Sequence, residues 1–142
     1  MTATALTRDE IDAFLREQGS GVLSLTDGAE TYAVPESFGY DGGNLYFQLV
    51  SDSDSQKLSF IETTNTATLT AFTDDPPRSV LARGPLEPVP EAAHQRASSA
   101  IAANATIPAL NVSLETTTDE LAFEFYRLVP RELSGRAFDP SP

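Results

Sequence analysis

The sequence contains no cysteine and no tryptophan, and it has one histidine, His94, and one lysine, Lys57. Without cysteine there are no disulfides, no thiolate metal sites and no cysteine nucleophile, and the composition suits a reducing cytoplasm. One histidine leaves only carboxylates to complete a catalytic triad or a metal centre, which argues against both. Lys and Arg together number 9 against 21 Asp and Glu, for a formal net charge of -12. A phosphate backbone needs clustered cations, so nucleic acid is excluded as a partner. No segment approaches the roughly 20 apolar residues of a membrane helix, and the opening MTATALTRDE has no apolar run of a signal peptide. The expectation is a soluble, cytoplasmic protein with no metal and no membrane partner.

What is present fits one domain over residues 1–142, with 1–6 and 138–142 expected to fray. A chain of this length buries roughly 70% of its unfolded surface and needs no staples. The acidic excess reads as adaptation to high salt, where self-repulsion is screened; an acidic protein with a basic partner is the alternative. Asn104-Ala105-Thr106 and Asn111-Val112-Ser113 match glycosylation sequons, which mean little without a signal peptide.

Residues 7–18 carry helical signals: Thr7 and Glu10 match a capping box, Ile11, Phe14, Leu15 and Gln18 share a face, and Gly19 suits the stop. This helix is expected to act as an amphipathic lid. GVLSLT from 21, ETYAVPESF from 30 and NLYFQL from 44 alternate as strands, with turn signals at Asp27-Gly28 and Asp41-Gly42-Gly43, and read as three antiparallel strands in sequence. QKLSFIETT from 56 reads as a short connector helix. TATLTAF from 66, SVLARGPLEPV from 79 and LAFEFYRLV from 121 read as further strands, and EAAHQRASSAIAANA from 91 as a helix. In the strand from 121, Leu121, Phe123 and Phe125 alternate against Ala122, Glu124 and Tyr126. The sum is mainly β with flanking helices, a small antiparallel barrel of about six strands that removes exposed edges. Pro35 inside a strand implies a bulge or an unpaired edge, and bared backbone beside a barrel wall suits a flat heterocycle.

Lys57 falls in the first turn of the connector helix, where the helix dipole favours negative charge. Its presence makes sense if an anion is held there by backbone N–H groups, a hydroxyl of Ser53 or Ser55, and the ammonium. An Asp54 to Lys57 pair at i,i+3 explains it equally well from spacing alone. His94 reads as a solvated or partly buried structural residue. Arg127, Arg131 and Arg136 either pair with the acidic surface or reach a phosphate. Tyr46, Phe47 and Phe125 read as core or subunit interface.

With these residues in place, GVLSL at 21, YAVPESFGYDGGNLYF at 32–47, Gln56-Lys57 opening a helix and SVLARG at 79–84 occur in an order that resembles the pyridoxamine 5'-phosphate oxidase-like, FMN-binding split-barrel family, in particular its small flavin-nucleotide-binding branch. The resemblance is close over residues 7–90 and reaches the C-terminal third through its last strand and LVPRELSGR. It implies a six-stranded antiparallel split β-barrel and a homodimer with FMN at the interface. It also implies that Tyr32, Ala33, Val34, Pro35 and Ser37 run beside the isoalloxazine ring, that Phe47 and Gln48 lie against the cofactor, and that Ser55, Gln56 and Lys57 hold the phosphate. Gln56 stands where relatives have a second basic residue and Gln48 where many have histidine. A lost charge-assisted hydrogen bond lowers affinity roughly tenfold or more. The basic residues that hold a vitamin B6 phosphate do not map here beyond Arg131 and Arg136, and no catalytic residue can be assigned. Two functions follow: a flavin-dependent oxidoreductase of unknown substrate, or a non-catalytic dimer that binds a flavin or another flat cofactor for sensing, storage or partner docking.

Overall fold

The structure, a computed structural model, describes residues 2–51, 56–104 and 122–139. Helix α1 (Arg8–Gln18) forms where its spacing predicts it. The Thr7 hydroxyl accepts from the Glu10 N–H at 3.2 Å, the Glu10 carboxylate accepts from the Thr7 N–H at 2.9 Å, and Gly19 ends the helix at φ 66°. Only glycine takes that left-handed stop without a steric cost. Ile11, Phe14 and Leu15 are buried in the main core, so the expected lid is a packed wall of the barrel.

The strands are β1 (Thr2–Ala5), β2 (Ser20–Thr26), β3 (Thr31–Ser37), β4 (Gly39–Tyr40), β5 (Leu45–Ser51), β6 (Ala67–Asp74), β7 (Pro77–Gly84), β8 (Leu86–Pro88), β9 (Ala122–Leu128) and β10 (Glu132–Asp139). Helix α2 (Gln56–Thr63) follows β5, and a 3-10 turn (Glu91–Ala93) leads into α3 (His94–Asn104). A six-stranded sheet has the order β1-β10-β7-β6-β2-β3 and a four-stranded sheet the order β4-β5-β9-β8, with every neighbouring pair antiparallel. Together they make a mainly β split barrel with flanking helices.

Three sequence expectations are corrected by this topology. The segments from 21, 30 and 44 do not form one meander: the chain passes from the six-stranded to the four-stranded sheet at Phe38, between β3 and β4. SVLARGPLEPV is two strands, because Pro85 has no N–H to continue the ladder and its carbonyl instead accepts from Val129 N–H at 3.0 Å. Residues 2–6 are held in place rather than frayed, and Met1 lies outside the described residues. Thr2–Ala5 pair with Asp139 to Arg136, and Leu6 N–H reaches Gly135 O at 2.9 Å, so main-chain bonds hold a strand whose side chains are all exposed. The same ladder orders Phe138 and Asp139, while 140–142 lie outside the described residues. Strand β9, found where its alternation predicts a strand, uses both faces: Tyr126 and Leu128 enter the main core, and Phe125 packs on a second cluster with Tyr46, Val89 and Ala97. Leu121 lies outside the described residues.

Both glycine turns close through the aspartate before them. Asp27 Oδ1 accepts from the N–H groups of Ala29 at 2.9 Å and Glu30 at 2.7 Å, and Asp41 Oδ1 from those of Gly43 at 2.8 Å and Asn44 at 2.7 Å. Each loop spans four residues, because the aspartate side chain replaces a main-chain partner.

The β3–β4 corner is fixed by Asn104, at the end of α3. Its buried amide donates to Leu15 O at 3.1 Å and Phe38 O at 3.3 Å, joining α3, α1 and the corner. The sequon asparagine is thus a structural clamp, closed to glycosylation in the fold, and Asn111 lies outside the described residues. Asn104→Ala strands two buried carbonyls and is expected to destabilise the protein by about 1–3 kcal/mol in denaturant melts. Unchanged stability would contradict the clamp.

The 41–44 turn is tied down by two carboxylates. Burial alone would raise both. For Asp12 the Tyr40 hydroxyl at 2.6 Å and Arg8 at 2.9 Å outweigh it, and for Asp41 the Asn44 and Gly43 N–H groups, the Tyr46 hydroxyl at 2.8 Å and Arg96 at 3.4 Å do so. Both therefore sit below the usual carboxylate range. Burial and the Asp12 acceptor in turn push Tyr40 up to about 12. Carboxyls depressed on folding add stability that is complete above about pH 5 and is lost as pH falls through 4 toward the folded values. The melting temperature is expected to drop on acidification below pH 5. Asp41→Asn should start lower at pH 7 and fall less steeply, and parallel profiles would rule Asp41 out as a source of the slope.

Candidate functional site

Among the described residues strand β3 ends the six-stranded sheet and pairs with β2, where Pro35 lies opposite Val22. An edge strand is where a proline is tolerated in a sheet. Along it Ala33 and Pro35 are exposed, while Val34, Glu36 and Ser37 are buried. Glu36, only 3% exposed, is a carboxylate that the hydrophobic pattern of YAVPESF did not single out.

Tyr32, half-buried near the start of β3, stacks on Phe60 of α2 with ring centroids 5.3 Å apart and planes 13° from parallel. The far end of α2 is pinned to the end of β2. Thr26 N–H donates to Thr64 Oγ1 at 3.0 Å, and the hydroxyls of Thr63 and Thr64 both donate to Thr26 O at 3.1 Å. Gln56 and Lys57 open α2, which places Lys57 one helical turn, about 5 Å along the axis, before Phe60. The structure thus brings three predicted pieces to one region: the edge strand β3, Tyr32, and the start of the Lys57 helix. Ser55, with Ser53 and Asp54, lies outside the described residues.

The other predicted residues divide. Gln48 is exposed on β5, opposite Phe125. Val34 and Phe47 are 3% and 0% exposed and belong to the main core, so any contact they make with a ligand passes through their backbone. Phe60 is the site residue that sequence reasoning missed. Its signal was present, because Phe60 lies three residues after Lys57 in a helix docked on the sheet, but only the fold shows that Tyr32 faces it.

Outside this region the charged residues are mostly structural. His94 Nε2 lies 2.9 Å from Val89 O, and the ring meets Phe125 edge-on at 5.4 Å. Arg127 pairs with Glu87 at 2.7 Å, and Arg83 with Glu132 at 3.3 Å; Arg131 and Arg136 are exposed. Burial first, then hydrogen bonding to Glu124 at 3.1 Å, pushes the Tyr126 hydroxyl up to about 12, so it stays a donor at neutral pH. Among the described residues no three His, Asp or Glu cluster as metal ligands, and no helix is long and apolar enough to cross a membrane.

An edge strand, an aromatic pair beside it and one lysine a helical turn away in the chain fit a flat heterocycle carrying a phosphate. The family model described as pyridoxamine 5'-phosphate oxidase matches residues 7–137. The chain belongs to the pyridoxamine 5'-phosphate oxidase family. No curated protein matches it. Members of the same fold among solved structures include an FAD-binding protein from Mesorhizobium loti, with a TM-score of 0.70 and 17% identity over 98% of this chain and 100% of that one. The FAD binding protein from Mycobacterium smegmatis is similar at a TM-score of 0.70 and 20% identity, covering 95% and 98%. The FAD and heme binding protein of the same organism has a TM-score of 0.68 and 17% identity, covering 100% of this chain and 76% of its own. Identities this low establish a shared fold. In this family member β3 is an edge strand among the described residues, with the α2 aromatic Phe60 stacked on its Tyr32.

Proposed function

We propose that the chain binds FMN and serves as a flavin-dependent oxidoreductase, working as a cytoplasmic homodimer with the cofactor at the subunit interface. The observation that carries this reading is the family match over residues 7–137. The fit of the site supports it: β3 is an edge strand among the described residues, Tyr32 and Phe60 form an aromatic wall beside it, and Lys57 opens the helix that carries Phe60. Related structures are described as binding FAD. One lysine in a chain of net charge -12 suits the single phosphate of FMN better than the diphosphate of FAD.

Bound flavin supplies the electron-accepting ring, and the protein supplies binding, orientation and exclusion of water. Titration of the full chain with FMN and with FAD in 1 M salt, followed by quenching of flavin fluorescence, tests the reading. Tighter binding of FMN is expected. Tighter binding of FAD would replace the cofactor, and binding of neither would end the flavin reading.

The second reading is a non-catalytic flavin-binding dimer. It is favoured by the exposed and aromatic residues along this edge, where Tyr32, Ala33, Pro35 and Phe60 carry no acid–base group that titrates near neutral pH. Steady turnover of the flavin-loaded protein with a reduced nicotinamide donor and an electron acceptor would decide for the oxidoreductase.

A further inference from the structure

The chain leaves the four-stranded sheet at a corner that holds its one histidine. Strand β8 pairs with β9 through Leu86, Glu87 and Pro88, and one further bond follows, from Val89 N–H to Phe125 O at 2.9 Å. There the ladder stops. Pro90 has no N–H to extend it, and the chain folds back through the 3-10 turn into α3, with Ala93 N–H donating to Pro90 O at 2.8 Å. His94, the first residue of α3, is thereby set against the strand end that the chain has just left. Between the end of β8, the start of α3 and β9 lies a hollow of about 320 Å³ lined by Pro88, Val89, His94, Glu124 and Phe125. Its size is at the lower end for small-molecule sites and suits one ring with a short arm.

The lining is of two kinds. Val89 is buried and Phe125 half-buried, so the apolar side continues into the second core cluster. The polar side consists of acceptors. His94 is exposed, yet its ring is held on two sides, by Val89 O at 2.9 Å from Nε2 and by the edge-on contact with Phe125 at 5.4 Å. A carbonyl only accepts, so Nε2 carries the proton and the neutral ring keeps a lone pair on Nδ1. Glu124 is oriented by the Tyr126 hydroxyl, which donates to Oε2 at 3.1 Å. A carboxylate has about four acceptor sites, so one such bond leaves room for a further donor. Rigidity favours recognition as well. Pro88 and Pro90 fix the backbone on either side of Val89, whose N–H and carbonyl are both bonded, so little remains to be ordered when a ligand enters.

We propose that this hollow binds a small organic cation, an ammonium on an apolar or aromatic body, with Glu124 and His94 Nδ1 accepting from the ammonium and Phe125 and Val89 covering the body. Two acceptors call for a ligand that brings donors. A carboxylate at the rim, in a chain of net charge -12, favours a donor that is also positive. The site stands apart from the flavin reading, because none of its residues belongs to the region of β3 and α2, and it is tested on the chain without flavin.

His94 is the one histidine of the chain, so its ring C–H protons give isolated NMR signals that report on this corner. Benzylamine is the probe, titrated into the full chain at neutral pH in 1 M salt, with benzyl alcohol and benzoate as neutral and anionic molecules of similar size. Benzylamine is expected to shift the His94 signals saturably, benzyl alcohol to bind at least tenfold more weakly, and benzoate to leave the signals in place. Glu124→Gln should weaken benzylamine to the level of the alcohol and leave the alcohol unchanged. Glu124 is exposed, so the thermal midpoint should hold; if the variant fails to fold, the three probes decide on the wild type. The absence of a saturable shift with benzylamine overturns the site, as do equal affinities for the three probes. Benzylamine binding that Glu124→Gln leaves intact overturns it too, because the charge is then recognised elsewhere.

Discussion

Gly84→Ala is expected to be among the most damaging glycine substitutions in the described residues. Gly84 ends β7, is buried, and lies opposite Ala67. A Cβ added there would stand 1.9 Å from Val129 O and 2.9 Å from Val129 C, both main-chain atoms. A flexible side chain can turn aside, but this segment cannot easily do so. Val129 N–H is bonded to Pro85 O at 3.0 Å and Arg131 N–H to Arg83 O at 2.8 Å, on either side of the clash. Relief therefore means breaking one of those bonds or lifting the β9–β10 connection off the end of β7. Overpacking of this kind costs about 1–3 kcal/mol, and a contact made wholly of backbone belongs at or above the top of that range. A loss of about 3 kcal/mol corresponds to a fall of roughly 6–12 °C in melting temperature for a domain of this size. Gly28→Ala is the useful comparison, because nothing lies within 4 Å of its Cβ position and only its φ of +96° resists the change. Equal losses at the two positions would show that conformation, not close approach, governs Gly84.

Lys57→Ala is expected to raise the dissociation constant for FMN by about ten- to a hundredfold while hardly moving the melting temperature. The affinity term is that of a hydrogen bond to a charged group, about 1.5–3 kcal/mol. The stability term is small because the competing role for Lys57, an i,i+3 pair with Asp54, contributes only about 0.2–0.5 kcal/mol. The two roles thus separate cleanly in one variant. Lys57→Arg keeps the charge and should stay within a few-fold of wild type, and a gain in affinity on restoring a cation at Gln56 would show that the cradle is one basic residue short. Unchanged FMN affinity in Lys57→Ala would remove the lysine from the site.

The local elements were legible where a single residue type dictates the backbone. The Thr7 to Glu10 box, Gly19, and the aspartate-glycine turns each specify a conformation within four or five residues, and all are found in place. Pro35 marked an edge strand for the same reason: a missing donor is visible in the sequence. What was not legible depends on partners far away in the chain. Nothing in TATAL distinguishes β1 from a loose end, since its strand exists through bonds to residues 136–139. The alternation in LAFEFYRLV showed a strand but not that it would be covered on both sides, since α3 provides a second apolar surface against Phe125. Asn104 looked like a helix end and proves to be the tie between α1 and the β3–β4 corner.

The candidate site divides in the same way. Lys57 stood out by charge alone, as the lone lysine of an acidic chain, and the edge of β3 by its proline. Phe60 became part of the site only when the fold set it 5.3 Å from Tyr32. Val34 and Phe47 were placed against the cofactor by resemblance, and their side chains proved to be core, since an alternating strand shows its period but not which neighbours will cover each face.

The visible absorption spectrum of the full chain, incubated with FMN in 1 M salt and then freed of unbound flavin by gel filtration, tests the central claim most directly. Flavin absorption that travels with the protein at close to one FMN per chain is the predicted result. A colourless protein peak, with all the flavin in the small-molecule fraction, would contradict it.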